Sequence, residues 1–112
     1  MAGPSPSLLS QPSHATQVAL KKAGLSVGDI DLFEINEAFA AVGLTSAADL
    51  GISDDIVNVN GGAIALGHPV GMSGTRLALT SLLELTRRGG GTAAVSLCGG
   101  GGQGDAAILR TL

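Results

Sequence analysis

Three side chains in this chain could move protons or steady a developing negative charge: Asn36, His68 and Cys98. His68 stands in Asn60–Arg76, which reads NGGAIALGHPVGMSGTR, and glycine and proline are dense enough there to hold a fixed, non-regular loop. Pro69 biases His68 towards an extended backbone. An imidazole on such a loop can act as acid, base or oxyanion donor, because histidine titrates near neutrality. Its plainer reading is a surface or structural ring. Cys98 is followed by Gly99, Gly100, Gly101, Gly102, Gln103 and Gly104. A thiol can exchange a proton, and glycines after it can turn backbone N–H groups towards an oxyanion. A buried cysteine at the end of a core strand is the alternative. Asn36 can hold a water through its amide. With Glu37 it can equally open a helix, Asn36 as cap and Glu37 in the first turn.

These groups need elements to carry them. Ser13 caps a helix over His14–Ala23 whose inner face is Ala15, Val18, Ala19 and Ala23, and Gly24 stops it. Ile30–Ile35 reads as a strand and Glu37–Leu50 as a helix facing inward with Phe39, Val42, Ala47 and Leu50. Ile56–Asn60 reads as a strand leading into a glycine turn. Ser73–Arg88 is a helix with Leu79, Leu82 and Leu83 at helical spacing. Thr92–Cys98 and Asp105–Arg110 are strands joined by a short glycine turn, hence antiparallel neighbours. The alternation predicts an α/β layered domain, a mixed sheet covered by helices. It opens on a helix, so the strand that should precede that helix is missing. Asn36 and Cys98 then close strands and His68 lies in the segment after one, at the ends where α/β sheets gather their ligands.

Composition narrows the classes. The chain has 112 residues, enough for one modest core. The expected division is a loose Pro/Ser leader over 1–12 and one domain over 13–112. Phe33 and Phe39 are the only aromatics, so aliphatic residues must fill the core. A formal charge of −3, without a Lys/Arg block, argues against nucleic acid as partner. No apolar run suggests a membrane span, and the first residues do not form a signal peptide. One cysteine excludes an internal disulfide and fits a reducing compartment or a reactive thiol. Two separated histidines and one cysteine give no metal-site spacing. Gly99, Gly101 and Gly104 spell G-x-G-x-x-G, but a strand follows where a dinucleotide site needs a helix.

Three blocks together resemble the C-terminal domain of thiolases. They are Asn36-Glu37-Ala38-Phe39, then Gly61-Gly62-Ala63-Ile64-Ala65-Leu66-Gly67-His68-Pro69 with Gly71, Ser73 and Gly74, and finally Cys98-x-Gly-Gly-Gly-x-Gly. The similarity runs from about Ser13 to the end, and the block around His68 is the most specific. Sterol-carrier relatives differ at the first block, and ketoacyl synthases lack the set.

The resemblance implies an acyl-CoA acyltransferase that makes or cleaves 3-ketoacyl-CoA by Claisen chemistry, with a CoA thioester as substrate and no covalently bound cofactor. It implies that His68 activates a nucleophilic cysteine and, with a water held by Asn36, stabilises the thioester enolate. Cys98 moves a proton on and off the α-carbon or leaving thiol. The Gly100 N–H belongs to a second oxyanion hole, and Phe39 lines the pantetheine path. The family's nucleophile lies in an N-terminal domain, whereas the one cysteine here is Cys98. The partners expected are therefore an N-terminal thiolase half and further copies of the chain, with little activity alone. The segment Leu8–Pro12 matches the family's M-x-x-G-P only at the proline. A missing central strand is expected to leave an open sheet edge. The compartment implied is bacterial cytoplasm or an organelle matrix. A non-catalytic remnant that binds acyl-CoA or dimerises is the alternative; an unrelated glycine-rich anion binder fits the three blocks poorly.

Overall fold

Pro12, whose missing N–H costs nothing in a first turn, helps open helix α1 at Gln11–Ala23. Gly24 closes it in the left-handed region, at φ 69°, with its N–H turned back to the Leu20 and Lys21 carbonyls. The computed structural model describes residues 2–3 and 5–112. Strand β1 is Leu32–Ile35, helix α2 Ala40–Leu50, the one-turn helix α3 Ala63–Leu66 and helix α4 Ser73–Arg87. Strands β2, Thr92–Gly99, and β3, Gln103–Arg110, complete the sheet.

The sheet order is β1-β2-β3. β1 runs parallel to β2, from Leu32 beside Ala93 to Ile35 beside Ser96. β2 and β3 form an antiparallel hairpin, from Thr92 beside Arg110 to Gly99 beside Gln103. Its loop is Gly100–Gly102, where Gly101 and Gly102 take φ of 80° and 77°, conformations that suit only glycine without strain. On one face Phe33, Ile35 and Ala94 pack with Leu20 of α1 and Leu50 of α2; on the other, Leu32 and Ala93 pack with Leu85 of α4. The result is the expected helix–sheet–helix layering around a mixed sheet.

Several details differ from expectation. Ser13 does not cap α1; it lies inside the helix, buried, its hydroxyl 2.9 Å from Asp49 Oδ2 of α2. α1 thus includes Gln11 and Pro12 from the stretch expected as leader. That stretch is also tied down: Ser46 donates to the Leu9 carbonyl, Gly3 N–H donates to Gly102, and Ala2 forms an antiparallel bridge with Gln103. No strand forms at Ile56–Asn60. A 3-10 turn over Asp54–Ile56 leads to one parallel bridge, Val57 to Phe33. β1 and β2 are hydrogen-bonded neighbours in a sheet of three strands. On its outer side, β3 is bridged by Ala2 at Gln103.

Helix faces also turn differently. Phe39, Val18, Ala23, Leu79 and Leu83 are exposed, while Ser46 joins Val42, Ala47 and Leu50 inside α2. In α4 the sheet takes the stripe of Leu77, Ser81, Glu84 and Leu85. The buried stripe mixes two leucines with Ser81 and Glu84, so the spacing of the other leucines does not reveal which side faces the sheet.

Candidate active site

β1 ends at Ile35, and the next residue is Asn36, fully buried, whose N–H extends the ladder by donating to the Ser96 carbonyl at 2.9 Å. Asn36 does not cap α2, which starts only at Ala40 with Phe39 in the cap position. Its side chain turns instead to the loop before α4: Asn36 Nδ2 lies 3.3 Å from His68 Nε2. The far side of the ring is held by Ser73, the first residue of α4, whose Oγ is 2.5 Å from His68 Nδ1 and donates to the Pro69 carbonyl. A serine hydrogen engaged with Pro69 leaves the serine oxygen to accept from Nδ1–H. Nε2 then carries a lone pair, on which Asn36 donates; this tautomer follows from the network. Asn36 Oδ1 is buried and has no partner among the described residues, so it is the free acceptor of the group.

The segment carrying His68 is held as expected, but part of it is regular, the one-turn helix α3. Glu37, outside α2, accepts from the Ile64 N–H at 3.2 Å and so anchors the first turn of α3. Gly62 leaves room for that carboxylate, since a Cβ there would lie 2.0 Å from Glu37 Oε1. Asn58 does what a strand would have done. Its amide accepts from the Ile35 N–H at 2.9 Å and donates to the Ile35 carbonyl at 2.8 Å, with its own backbone at φ 48°. It thereby fixes the residue just before Asn36. Asn60 reaches Glu84 of α4, which is also held by Arg87 and Arg88. Asn58, Ser73 and Glu37 were not singled out from sequence as separate supports. The NVNGG pattern and the Ser73 start of the helix were the available signals.

Cys98 stands near the end of β2, half-buried, two residues beyond Ser96, the partner of Ile35. Burial pushes its thiol above the usual range. It shares the strand-end region with Asn36, but no hydrogen bond joins it to Asn36 or His68 among the described residues. Gly100 opens the hairpin loop, exposed, and its carbonyl accepts from Gln103 Nε2. Phe39 is 63% exposed at the mouth of α2. A groove of about 490 Å³ runs beside Glu37, Leu44, Asn58, Gly62 and Ile64, next to this cluster but not lined by His68 or Cys98. Among the described residues no group of three or more His, Cys, Asp and Glu gathers as a metal site would.

The family model described as "Thiolase, C-terminal domain" matches residues 1–111. The chain belongs to the thiolase family. The match begins at residue 1, earlier than the similarity read from about Ser13. A probable acetyl-CoA acetyltransferase of Mycobacterium tuberculosis is 59% identical over 110 residues, covering 98% of this chain and 28% of that protein. Human mitochondrial 3-ketoacyl-CoA thiolase, also solved in complex with CoA, superposes with a TM-score of 0.88 at 52% identity, covering 91% of this chain and 26% of the other. Peroxisomal 3-ketoacyl-CoA thiolase of Saccharomyces cerevisiae, described as five-layered and constructed from two core domains of identical topology, gives 0.86 at 48% identity, covering 92% and 29%. The thiolase chain described here thus spans about 28% of the length of that mycobacterial relative.

Proposed function

We propose that Asn36, His68, Cys98 and the Gly100 N–H are the acid/base and oxyanion groups of a thiolase active site that makes or cleaves 3-ketoacyl-CoA. The observation that carries the reading is the Asn36–His68 contact at a strand end, with His68 braced by Ser73 and Asn36 Oδ1 left free. The lone pair on Nε2 suits a base that takes the proton from a nucleophilic thiol. The only cysteine here is Cys98, so that thiol comes from an N-terminal thiolase half. In the cleavage direction the nucleophile attacks the 3-keto carbon and the bond between C2 and C3 breaks. The departing acetyl-CoA enolate is then met by imidazolium Nε2–H and by a water on Asn36 Oδ1. Cys98, held protonated by burial, delivers its proton to C2. CoA thiol then releases the acyl group from the nucleophile. The Gly100 N–H serves the oxyanion at the acyl carbon, and exposed Phe39 lines the pantetheine path.

The exposed apolar residues Leu79, Leu83 and Val70 support pairing with the N-terminal half, in keeping with the two core domains of the yeast protein. Association with further copies of the chain belongs to the same proposal. A free catalytic thiol suits bacterial cytoplasm or an organelle matrix. No helix among the described residues is long and apolar enough to cross a membrane.

The test is complementation. Co-expressed with a cysteine-bearing N-terminal thiolase half, the chain is expected to restore 3-ketoacyl-CoA thiolysis. Cys98→Ala is expected to lower turnover by about 10²–10⁴, the usual worth of a general acid–base group, while leaving acylation of the partner cysteine intact. Binding of the half without turnover would contradict catalysis and favour a non-catalytic acyl-CoA-binding module.

A further inference from the structure

One layer beneath the Asn36–His68–Ser73 chain, the same two elements meet again. Glu34 precedes Asn36 by two residues and Arg76 follows Ser73 by about one helical turn, so each points the same way as its neighbour above. Arg76 Nη1 donates to Glu34 Oε1 at 2.9 Å; the two side chains are 13% and 1% exposed. The pair is incomplete. Glu34 Oε2 and Arg76 Nη2 are both buried without a hydrogen-bond partner among the described residues. A guanidinium can grip a carboxylate through two parallel bonds, and here it uses one. A buried pair with unsatisfied atoms is a weak device for stability, since well-packed apolar residues commonly do as well. Among the described residues, this pair and the His68 relay are the polar ties between β1 or Asn36 and α4.

We propose that the Glu34–Arg76 pair sets the depth and rotation of α4 against β1, and so holds His68, through Ser73, at Asn36. The two are positioning residues, and their importance for turnover rests on the reading of Asn36 and His68 given above. The placement itself is testable in this chain without any activity. The ring nitrogens of His68 and the side-chain amide of Asn36 are followed by ¹⁵N NMR in the parent, Glu34→Gln, Arg76→Met and the apolar double variant Glu34→Leu/Arg76→Met. The singles are expected to lose the parent's separation between the two ring-nitrogen signals and to shift the Asn36 amide, while the signals of Leu20 and Leu50, on the opposite face of the sheet, persist. The double variant is expected to recover the parent's melting temperature but not its His68 and Asn36 signals. Arg76→Lys, charged but lacking the planar fork, is expected to give intermediate shifts. Parent-like His68 and Asn36 signals in any folded variant without the pair would overturn the proposal. Failure of complementation leaves this readout untouched, so the two readings fail separately.

Discussion

The smallest unit that matters here is the side chain of Asn58. Both polar groups of the Ile35 backbone depend on it, and Ile35 immediately precedes Asn36. Asn58→Ala leaves those groups unpaired, at a cost of about 1–3 kcal/mol for burying unsatisfied polar atoms. Urea denaturation is expected to show that loss, with Asn58→Asp, which keeps the acceptor, losing less. Equal midpoints for the parent and Asn58→Ala would mean that water replaces the amide without penalty. Residue types in the sequence did mark Asn36, His68 and Cys98 as chemistry-bearing. Their supports were less legible. Asn36 beside Glu37 has the pattern of a helix cap, yet the helix waits until Ala40 because Asn36 is engaged by His68 and Glu37 by Ile64. Such long-range partners leave no local signature.

At the scale of elements, strands and helices were legible wherever glycine or proline marked a boundary, as at Gly24 and in the β2–β3 hairpin. Helix faces were not, because α4 buries Ser81 and Glu84 beside Leu77 and Leu85 and leaves Leu79 and Leu83 outside. The strand expected at Ile56–Asn60 fails for a related reason: Asn58 turns into the left-handed region, and its side chain replaces the ladder. The tie between β1 and α4 should appear in the pH dependence of stability. Burial raises the Glu34 carboxyl from 4.5 to about 7, against the pull of Arg76. Between those values the folded chain keeps a proton that the unfolded chain has released. Stability from this group therefore falls as pH rises from about 4.5 to about 7. Glu84 works in the other window. Hydrogen bonds from Arg87, Arg88 and Asn60 hold it down at about 2, so its contribution is present above 4.5 and is lost on acidification towards 2. Chemical denaturation across this range is expected to show Glu34→Gln flattening the upper window alone; an unchanged slope there would remove Glu34 as its source.

The whole molecule shows a sheet covered on both faces and an α4 whose outer stripe has no cover among the described residues. Leu79 and Leu83 are 55% and 62% exposed. Replacing both with lysine should change the stability of the chain by no more than about 0.5 kcal/mol per site, as for ordinary surface positions. The same change is expected to abolish association with an N-terminal thiolase half in native mass spectrometry. Retained association would move that interface elsewhere.

The central claim is that the groups at the ends of β1 and β2 and on the loop before α4 address one substrate. A crystal structure of the reconstituted assembly with a 3-ketoacyl-CoA bound tests it most directly. The account predicts His68 Nε2 within hydrogen-bond reach of the thioester oxygen, a water bridging that oxygen to Asn36 Oδ1, and the Cys98 sulfur against C2. A bound thioester whose oxygen faces away from His68, or whose C2 the Cys98 thiol cannot reach, would contradict it.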